Sequence, residues 1–182
     1  MKKPEIFSAI RSGCELKYAI NSNTKIIFML SPNIMDIKKQ AEAVHKAGKK
    51  YFIHIDFAEG LGKDEQGILF AKELGIDGII STRSNIIKLA KKAGLFTVQR
   101  FFIIDSHSVN TTIETAKASK ADMIEIMPGT VSKVIKTLKK ELDMPIVAGG
   151  LIETMQEITE ATNCGATAVS TSKKEFWGEY NG

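Results

Sequence analysis

The chain carries 22 lysines but only three arginines, so the positions of Arg11, Arg83 and Arg100 are informative. Each falls at or near the C-terminal end of a short apolar run: Arg11 after residues 6–10, Arg83 after Ile79-Ile80-Ser81-Thr82, and Arg100 late in residues 96–102. A guanidinium fork matches two oxygens of a carboxylate or phosphate, a geometry that a lysine ammonium does not impose. Two roles fit these positions: holding an anionic ligand, or pairing with Asp56, Asp105 or Glu125 to brace the edge of the fold.

Strand alternation places further chemistry beside them. In Tyr51-Phe52-Ile53-His54-Ile55-Asp56 the period of two puts Phe52, His54 and Asp56 on one face. In Met123-Ile124-Glu125-Ile126-Met127 it turns Glu125 to the same side as two methionines. A carboxylate so placed needs a cationic or hydrogen-bonding partner. His54, Asp56 and Glu125 suit acid–base chemistry, a satisfied polar network, or contacts to ligand hydroxyls, and residue type alone leaves these open.

The clearest anion-binding signal lies near the end of the chain. Pro145-Ile146-Val147-Ala148-Gly149-Gly150-Leu151-Ile152 ends an apolar run in paired glycines just before a helix, where bare backbone N–H groups can approach an anion. The next run leaves through Ser170-Thr171-Ser172, which adds hydroxyls. Met127-Pro128-Gly129 resembles a strand exit with close backbone approach. The glycine-rich segment 57–67, which contains Glu59, reads either as a mobile lid or as a plain connection, with Asp64 placed to cap the helix after it.

These residues must be held by the elements around them. Eight short apolar runs recur, at 6–10, 25–30, 51–56, 78–82, 96–102, 123–127, 145–148 and 167–170. Between most of them lie stretches of helical period with lysine-rich polar faces, such as 37–47 and 131–140. Gly48, Gly75, Gly94 and Gly165 each follow a helical stretch, where a left-handed residue ends the helix. Repeated strand and helix predict a parallel sheet covered by helices. Eight similar units without a G-x-G-x-x-G turn after the first strand favour a compact (β/α)8 TIM-like barrel over an open doubly wound sheet. Barrels carry their sites at the C-terminal ends of the strands, with phosphate sites often built from the last two loops. The weak points are a short first helix at 14–20 and the stretch 173–182, the only chain left to follow the last strand.

Composition bounds the function without naming it. At 182 residues, 43% apolar and 25% charged, the chain reads as a single soluble domain spanning 1–182. The start Met1-Lys2-Lys3-Pro4-Glu5 is followed by too brief an apolar stretch for a signal-peptide core, and no run is long enough to span a membrane, so a cytoplasmic location is expected. Cys14 and Cys164 lie far apart and outside any zinc-ligand spacing, which reads as two reduced thiols. A net charge of +4 favours anionic partners but is not a nucleic-acid signature by itself.

Six ordered motifs carry a resemblance over residues 6–177: His54-Ile55-Asp56-Phe57-Ala58-Glu59-Gly60, Ile80-Ser81-Thr82-Arg83-Ser84, Gln99-Arg100-Phe101-Phe102-Ile103-Ile104-Asp105, Ile124-Glu125-Ile126-Met127-Pro128-Gly129, Ala148-Gly149-Gly150-Leu151-Ile152, and Ser170-Thr171-Ser172 with Trp177. Together they resemble the glycerol-3-phosphate responsive antiterminator family of bacteria. The resemblance implies a regulator of glycerol-utilisation genes that senses glycerol 3-phosphate, binds leader mRNA and prevents premature termination, without turnover. Carried onto matching positions, it makes Gly149, Gly150, Thr171 and Ser172 the phosphate-binding candidates, with Asp56, Arg83, Arg100 and Glu125 shaping the rest of the pocket. Arg11, His54, Glu59 and Gly129 complete the ligand-binding candidates, and no residue is given a catalytic or metal-binding role. Glycerol 3-phosphate is expected as an effector, with no cofactor. Ser31-Pro32-Asn33-Ile34-Met35 departs from the family pattern by its irregularity.

For RNA the residues say less. Lysines at 88, 91, 92, 133, 136, 139, 140, 173 and 174 can reach phosphates, but lysines on barrel helices are normally a solvated face, and none is assigned. A homo-oligomer is left open. The competing reading is a barrel enzyme, a lyase, isomerase or phosphodiesterase acting on a small phosphorylated substrate, with Glu125 or His54 carrying the proton. A barrel serving only as an interaction scaffold is a third reading.

Overall fold

The structure, a computed structural model, describes residues 5–178. Met1–Pro4 and the last four residues of the stretch 173–182 therefore lie outside the described residues. Eight parallel strands close into a barrel in chain order: β1 Glu5–Ile10, β2 Ile26–Met29, β3 Lys50–His54, β4 Gly78–Ser81, β5 Phe96–Phe102, β6 Met123–Met127, β7 Ile146–Gly149 and β8 Ala168–Thr171. Closure is made by β1 against β8, where Phe7 stands beside Ser170 and Ser8 beside Thr171. Seven α-helices cover the strands: α1 Gly13–Ile20, α2 Ile34–Lys46, α3 Glu65–Glu73, α4 Ser84–Lys92, α5 Ser106–Ser119, α6 Ser132–Glu141 and α7 Met155–Asn163.

Strand alternation divides the apolar residues between two cores. Inside the barrel each strand contributes one side chain to a single cluster: Phe7, Phe28, Phe52, Ile80, Val98, Met123, Val147 and Ala168. Residues of the opposite parity, such as Tyr51 and Ile53 or Ile124 and Ile126, pack outward on the helices. Phe7, Phe28 and Phe52 line up with ring centroids 5.3 and 5.7 Å apart, so aromatic rings fill the barrel interior beneath the C-terminal ends of the strands.

Helix ends follow local chemistry. Asp64 accepts from the Gly67 N–H at the start of α3, and Thr154 accepts from Glu157 at the start of α7. Gly48, Gly75, Gly94 and Gly165 all have positive φ where the expected left-handed stops fall. The short α1 is held by Glu15, whose carboxylate accepts from the Arg11 and Ser12 N–H groups. The irregular 31–35 segment proves ordered, with Asn33 capping α2 through the Met35 N–H. No eighth α-helix is seen among the described residues. A 3-10 turn at Lys174–Phe176 follows β8 instead, and buried Trp177 donates from Nε1 to the Thr171 carbonyl while its own carbonyl accepts from Asn23.

Three strand boundaries differ from the sequence reading in ways that matter. β3 ends at His54, and Ile55–Phe57 forms a 3-10 turn, so Asp56 leaves the strand rather than pointing down the barrel. β7 and β8 each run one residue further than the apolar runs, to Gly149 and Thr171.

Candidate functional site

The strand exits frame a cleft of about 490 Å³ at the C-terminal end of the barrel. Its walls come from β1 and its exit (Ala9, Arg11), the exit of β2 (Leu30), β5 (Arg100, Phe102), β6 with its exit (Glu125, Met127, Pro128), and the segments 150–153 and 170–173.

Its floor is a polar triad built by strand register. Arg100 on β5 stands directly beside Glu125 on β6, and its Nε donates to Glu125 Oε2 at 2.6 Å. The other carboxylate oxygen accepts from Ser170 Oγ of β8 at 2.5 Å. Glu125 is fully buried and Arg100 nearly so, so the pair is desolvated and each member needs the other. β7 crosses between them without a side chain: a Cβ on Gly149 would collide with Glu125 Oε1 and Ser170 Oγ. The first glycine of the pair thus makes room for Glu125. The second, Gly150, turns the chain at φ +73, and Leu151 follows at φ +56, a conformation rarely adopted by a bulky residue. Among the described residues, none accepts from the backbone N–H of Gly150, Leu151, Ile152 or Ser172.

The three arginines divide. Arg11 lines the cleft, is exposed, and makes no ion pair with any described residue. Arg100 reaches the cleft while anchored by one nitrogen to Glu125. Arg83 instead turns onto Asp56, donating from Nε and Nη2 at 3.2 and 3.1 Å. Asp56 also accepts from Ser81 Oγ at 2.7 Å and from the Thr82 N–H and hydroxyl at 2.8 and 2.9 Å. Burial acts to raise the Asp56 pKa, but these hydrogen bonds together outweigh it and hold it below the usual carboxylate value. This is the rim-bracing role weighed for the arginines from sequence, and with the Arg100–Glu125 pair it is realised at two of the three.

His54 is 1% exposed, and neither ring nitrogen has a hydrogen-bond partner. Its Nε2 lies 3.6 Å from Asp56 Oδ2, beyond hydrogen-bond reach. Burial first, then the nearby Arg100 charge, lowers its pKa to about 4 against the opposing pull of Asp56, so the imidazole is neutral at pH 7.

Of the candidates read from sequence, Arg11, Arg100, Glu125, Gly150, Thr171 and Ser172 come together on the cleft, and Gly149 packs directly behind Glu125. Asp56, Arg83, Glu59, Gly129 and His54 do not line it. Glu59 accepts from Asn33 Nδ2 at 2.9 Å and forms a parallel bridge with Asn33, tying the β3 exit to the start of α2. Gly129 serves packing: its N–H donates to the Gly150 carbonyl, and a Cβ there would stand 2.8 Å from the Gly149 nitrogen. Segment 57–67 is tied down by buried Ala58 and Leu61 and by Lys63, which donates to both their carbonyls, at 2.5 and 3.0 Å. That favours the plain connection over the lid.

Sequence reasoning missed the apolar wall of Leu30, Phe102, Leu151 and Ile152, and the rim pair Lys173 and Glu153, 3.9 Å apart. Lys173 directly follows the Ser170-Thr171-Ser172 exit, which was the available signal. No group of three His, Cys, Asp or Glu side chains among the described residues is placed to hold a metal ion. The floor can therefore offer the Arg100–Glu125 pair and a hydroxyl, and the walls offer Arg11, Lys173 and unpartnered N–H groups. That combination suits a small anion whose other end is polar.

The model of a family described as glycerol-3-phosphate responsive antiterminator matches residues 6–177. The chain is 34% identical over 178 residues to the uncharacterized protein YgcP of Escherichia coli K12, a match covering 97% of this chain and 93% of that protein. Among solved structures, a glycerol uptake operon antiterminator regulatory protein from Listeria monocytogenes superposes with a TM-score of 0.89 at 32% identity, covering 95% of this chain and 94% of the other. A glycerol uptake operon antiterminator-related protein from Thermotoga maritima gives 0.86 at 32% identity, covering 96% and 98%.

Proposed function

Because the chain belongs to the glycerol-3-phosphate responsive antiterminator family, we propose that it senses glycerol 3-phosphate in the barrel cleft and, in that state, binds the leader mRNA of glycerol-utilisation genes to prevent premature termination. The observation that carries this reading is the meeting, in one cleft, of the Arg11 and Arg100 guanidiniums with unpartnered backbone N–H groups of 150–152 and 172. A phosphate monoester satisfies such donors, and N–H groups at tight strand exits are suited to it. Gly150, Thr171 and Ser172 hold the phosphate, with Gly149 giving Glu125 its place beneath.

The cleft is read as a sensor rather than a catalytic centre. Both oxygens of Glu125 are engaged, by Arg100 and by Ser170, which supports a positioning role for this carboxylate in the floor. The RNA-binding reading puts the protein with nascent transcripts in the cytoplasm.

The coupling follows from linkage: if the phosphate ester strengthens RNA binding, RNA strengthens ester binding by the same factor. Thermal melts against glycerol 3-phosphate, glycerol and inorganic phosphate test the cleft. At a hundred times its Kd the ester adds about 2.7 kcal/mol, a rise of about 5–10 °C for a chain of this size. Leader-RNA affinity at fixed salt, with and without saturating ester, tests the coupling. An unchanged melting point with the ester, or an unchanged RNA affinity, defeats the corresponding half of the proposal.

A further inference from the structure

Accepting the cleft as a phosphate-ester site, we propose that His54 forms an inner subsite that recognises the ligand's terminal hydroxyl, and so selects a polyol phosphate over its deoxy and carboxylate relatives.

A buried imidazole without partners forfeits the hydrogen bonds it would make to water, and native interiors seldom leave such a group unmet. His54 has both ring nitrogens in that condition at 1% exposure. It points into the barrel: Phe52, two residues earlier on β3, belongs to the interior cluster, and alternation gives His54 the same face. Register then sets it just behind the cleft wall. Met29 pairs with Ile53, so the residue that follows β2, the cleft-lining Leu30, comes alongside His54. On the other side Arg100, also a cleft residue, is near enough for its charge to act on the imidazole. The Phe57 ring lies against His54 with centroids 4.7 Å apart and is itself 63% exposed, so the cover includes a side chain free to turn aside.

Charge decides what the subsite takes. Arg100 donates to Glu125 through Nε and turns its remaining nitrogens to the phosphate, and the Asp56 carboxylate stands 3.6 Å from His54 Nε2. A second anionic group on the ligand would meet these two carboxylates with no free cation between them. A neutral imidazole has one N–H donor and one acceptor nitrogen, and a hydroxyl, which both donates and accepts, is the group that complements it. The phosphate is then held at the β7 and β8 exits while the far end of a three-carbon chain reaches past Arg100.

Calorimetric titration of the wild type, His54→Leu and His54→Gln with glycerol 3-phosphate, 2-hydroxypropyl phosphate, 3-phosphoglycerate and inorganic phosphate tests this. The wild type is expected to bind glycerol 3-phosphate about tenfold or more tightly than the analogue lacking the terminal hydroxyl, and to bind the carboxylate analogue more weakly still. His54→Leu abolishes the preference between the first two and leaves inorganic phosphate unchanged, while His54→Gln restores part of it. Unliganded His54→Leu melts no lower than wild type, because the imidazole makes no hydrogen bond to lose. A full hydroxyl preference surviving in a folded His54→Leu overturns the subsite and leaves the phosphate cleft standing. Binding of neither the ester nor inorganic phosphate to the wild type overturns both.

Discussion

Arg100 and Glu125 face each other in register across β5 and β6, with Nε 2.6 Å from Oε2 and both side chains buried in the barrel mouth. Such a pair is held less by net gain than by the penalty of separating it. Arg100→Leu strands the Glu125 carboxylate, and urea denaturation should register a loss of about 3–5 kcal/mol. The double variant Arg100→Leu with Glu125→Leu should recover most of that loss while binding the phosphate ester poorly. A double variant no more stable than Arg100→Leu would show that the two residues do not act as a pair.

Asp56 braces the rim at the neighbouring β3 and β4 exits. Its pKa lies below the value it would have unfolded, because hydrogen bonds from Thr82, Ser81 and Arg83 outweigh the effect of burial. A depressed carboxylate contributes stability that is complete above the unfolded pKa of about 3.9 and is lost as pH falls through the folded value. Asp56→Asn should cost about 1.5–3 kcal/mol at pH 7 through its charge-assisted hydrogen bonds. It should also flatten part of the fall in melting temperature below about pH 4. Melting curves from pH 3 to 7 for both proteins provide the check, and parallel acid limbs would contradict the assignment.

How far the sequence could be read follows from which physical signals are local. The inward turn of Glu125 was legible because Met123-Ile124-Glu125-Ile126-Met127 alternates cleanly and the structure keeps all five residues in β6. Gly48 and Gly165 marked helix ends because few other residues tolerate positive φ there. The fate of Asp56 was not legible, since alternation cannot tell the last turn of a strand from a 3-10 turn, and its acceptors' partners lie 25–27 residues away on the next strand exit. Leu30, Phe102 and Leu151 were missed for a different reason: an apolar residue at a strand end reads like core, and only closure of the barrel shows that it faces a cleft.

Gly149 has no room for a side chain, because an added methyl would meet Glu125 Oε1 and Ser170 Oγ. Gly149→Ala should therefore push the Glu125 carboxylate off Arg100, costing about 1–3 kcal/mol in urea denaturation and weakening ester binding. Gly129→Ala makes a similar clash, but against the Gly149 backbone. It should lower stability by a comparable amount while shifting both strand exits together. Removing the carboxylate separates the two cases: in a Glu125→Ala background the stability cost of Gly149→Ala should shrink, and that of Gly129→Ala should not. Equal costs in both backgrounds would mean that Gly149 is required by the backbone and not by Glu125.

Leu151 is the remaining oddity of the cleft, a large exposed side chain at φ +56 immediately after Gly150 at φ +73. Two successive left-handed residues aim consecutive N–H groups in directions that an extended chain cannot, and neither the Leu151 nor the Ile152 N–H has an acceptor among the described residues. Leucine carries strain of about 1–2 kcal/mol in this conformation, which asparagine tolerates better. Leu151→Asn should thus raise stability by up to about 1 kcal/mol and keep the affinity for inorganic phosphate. Leu151→Val, with a branched Cβ that suits the left-handed region worse, should lose stability and phosphate affinity together. If valine and asparagine bind phosphate alike, the backbone turn is not what holds the anion, and the arginines must carry the site by themselves.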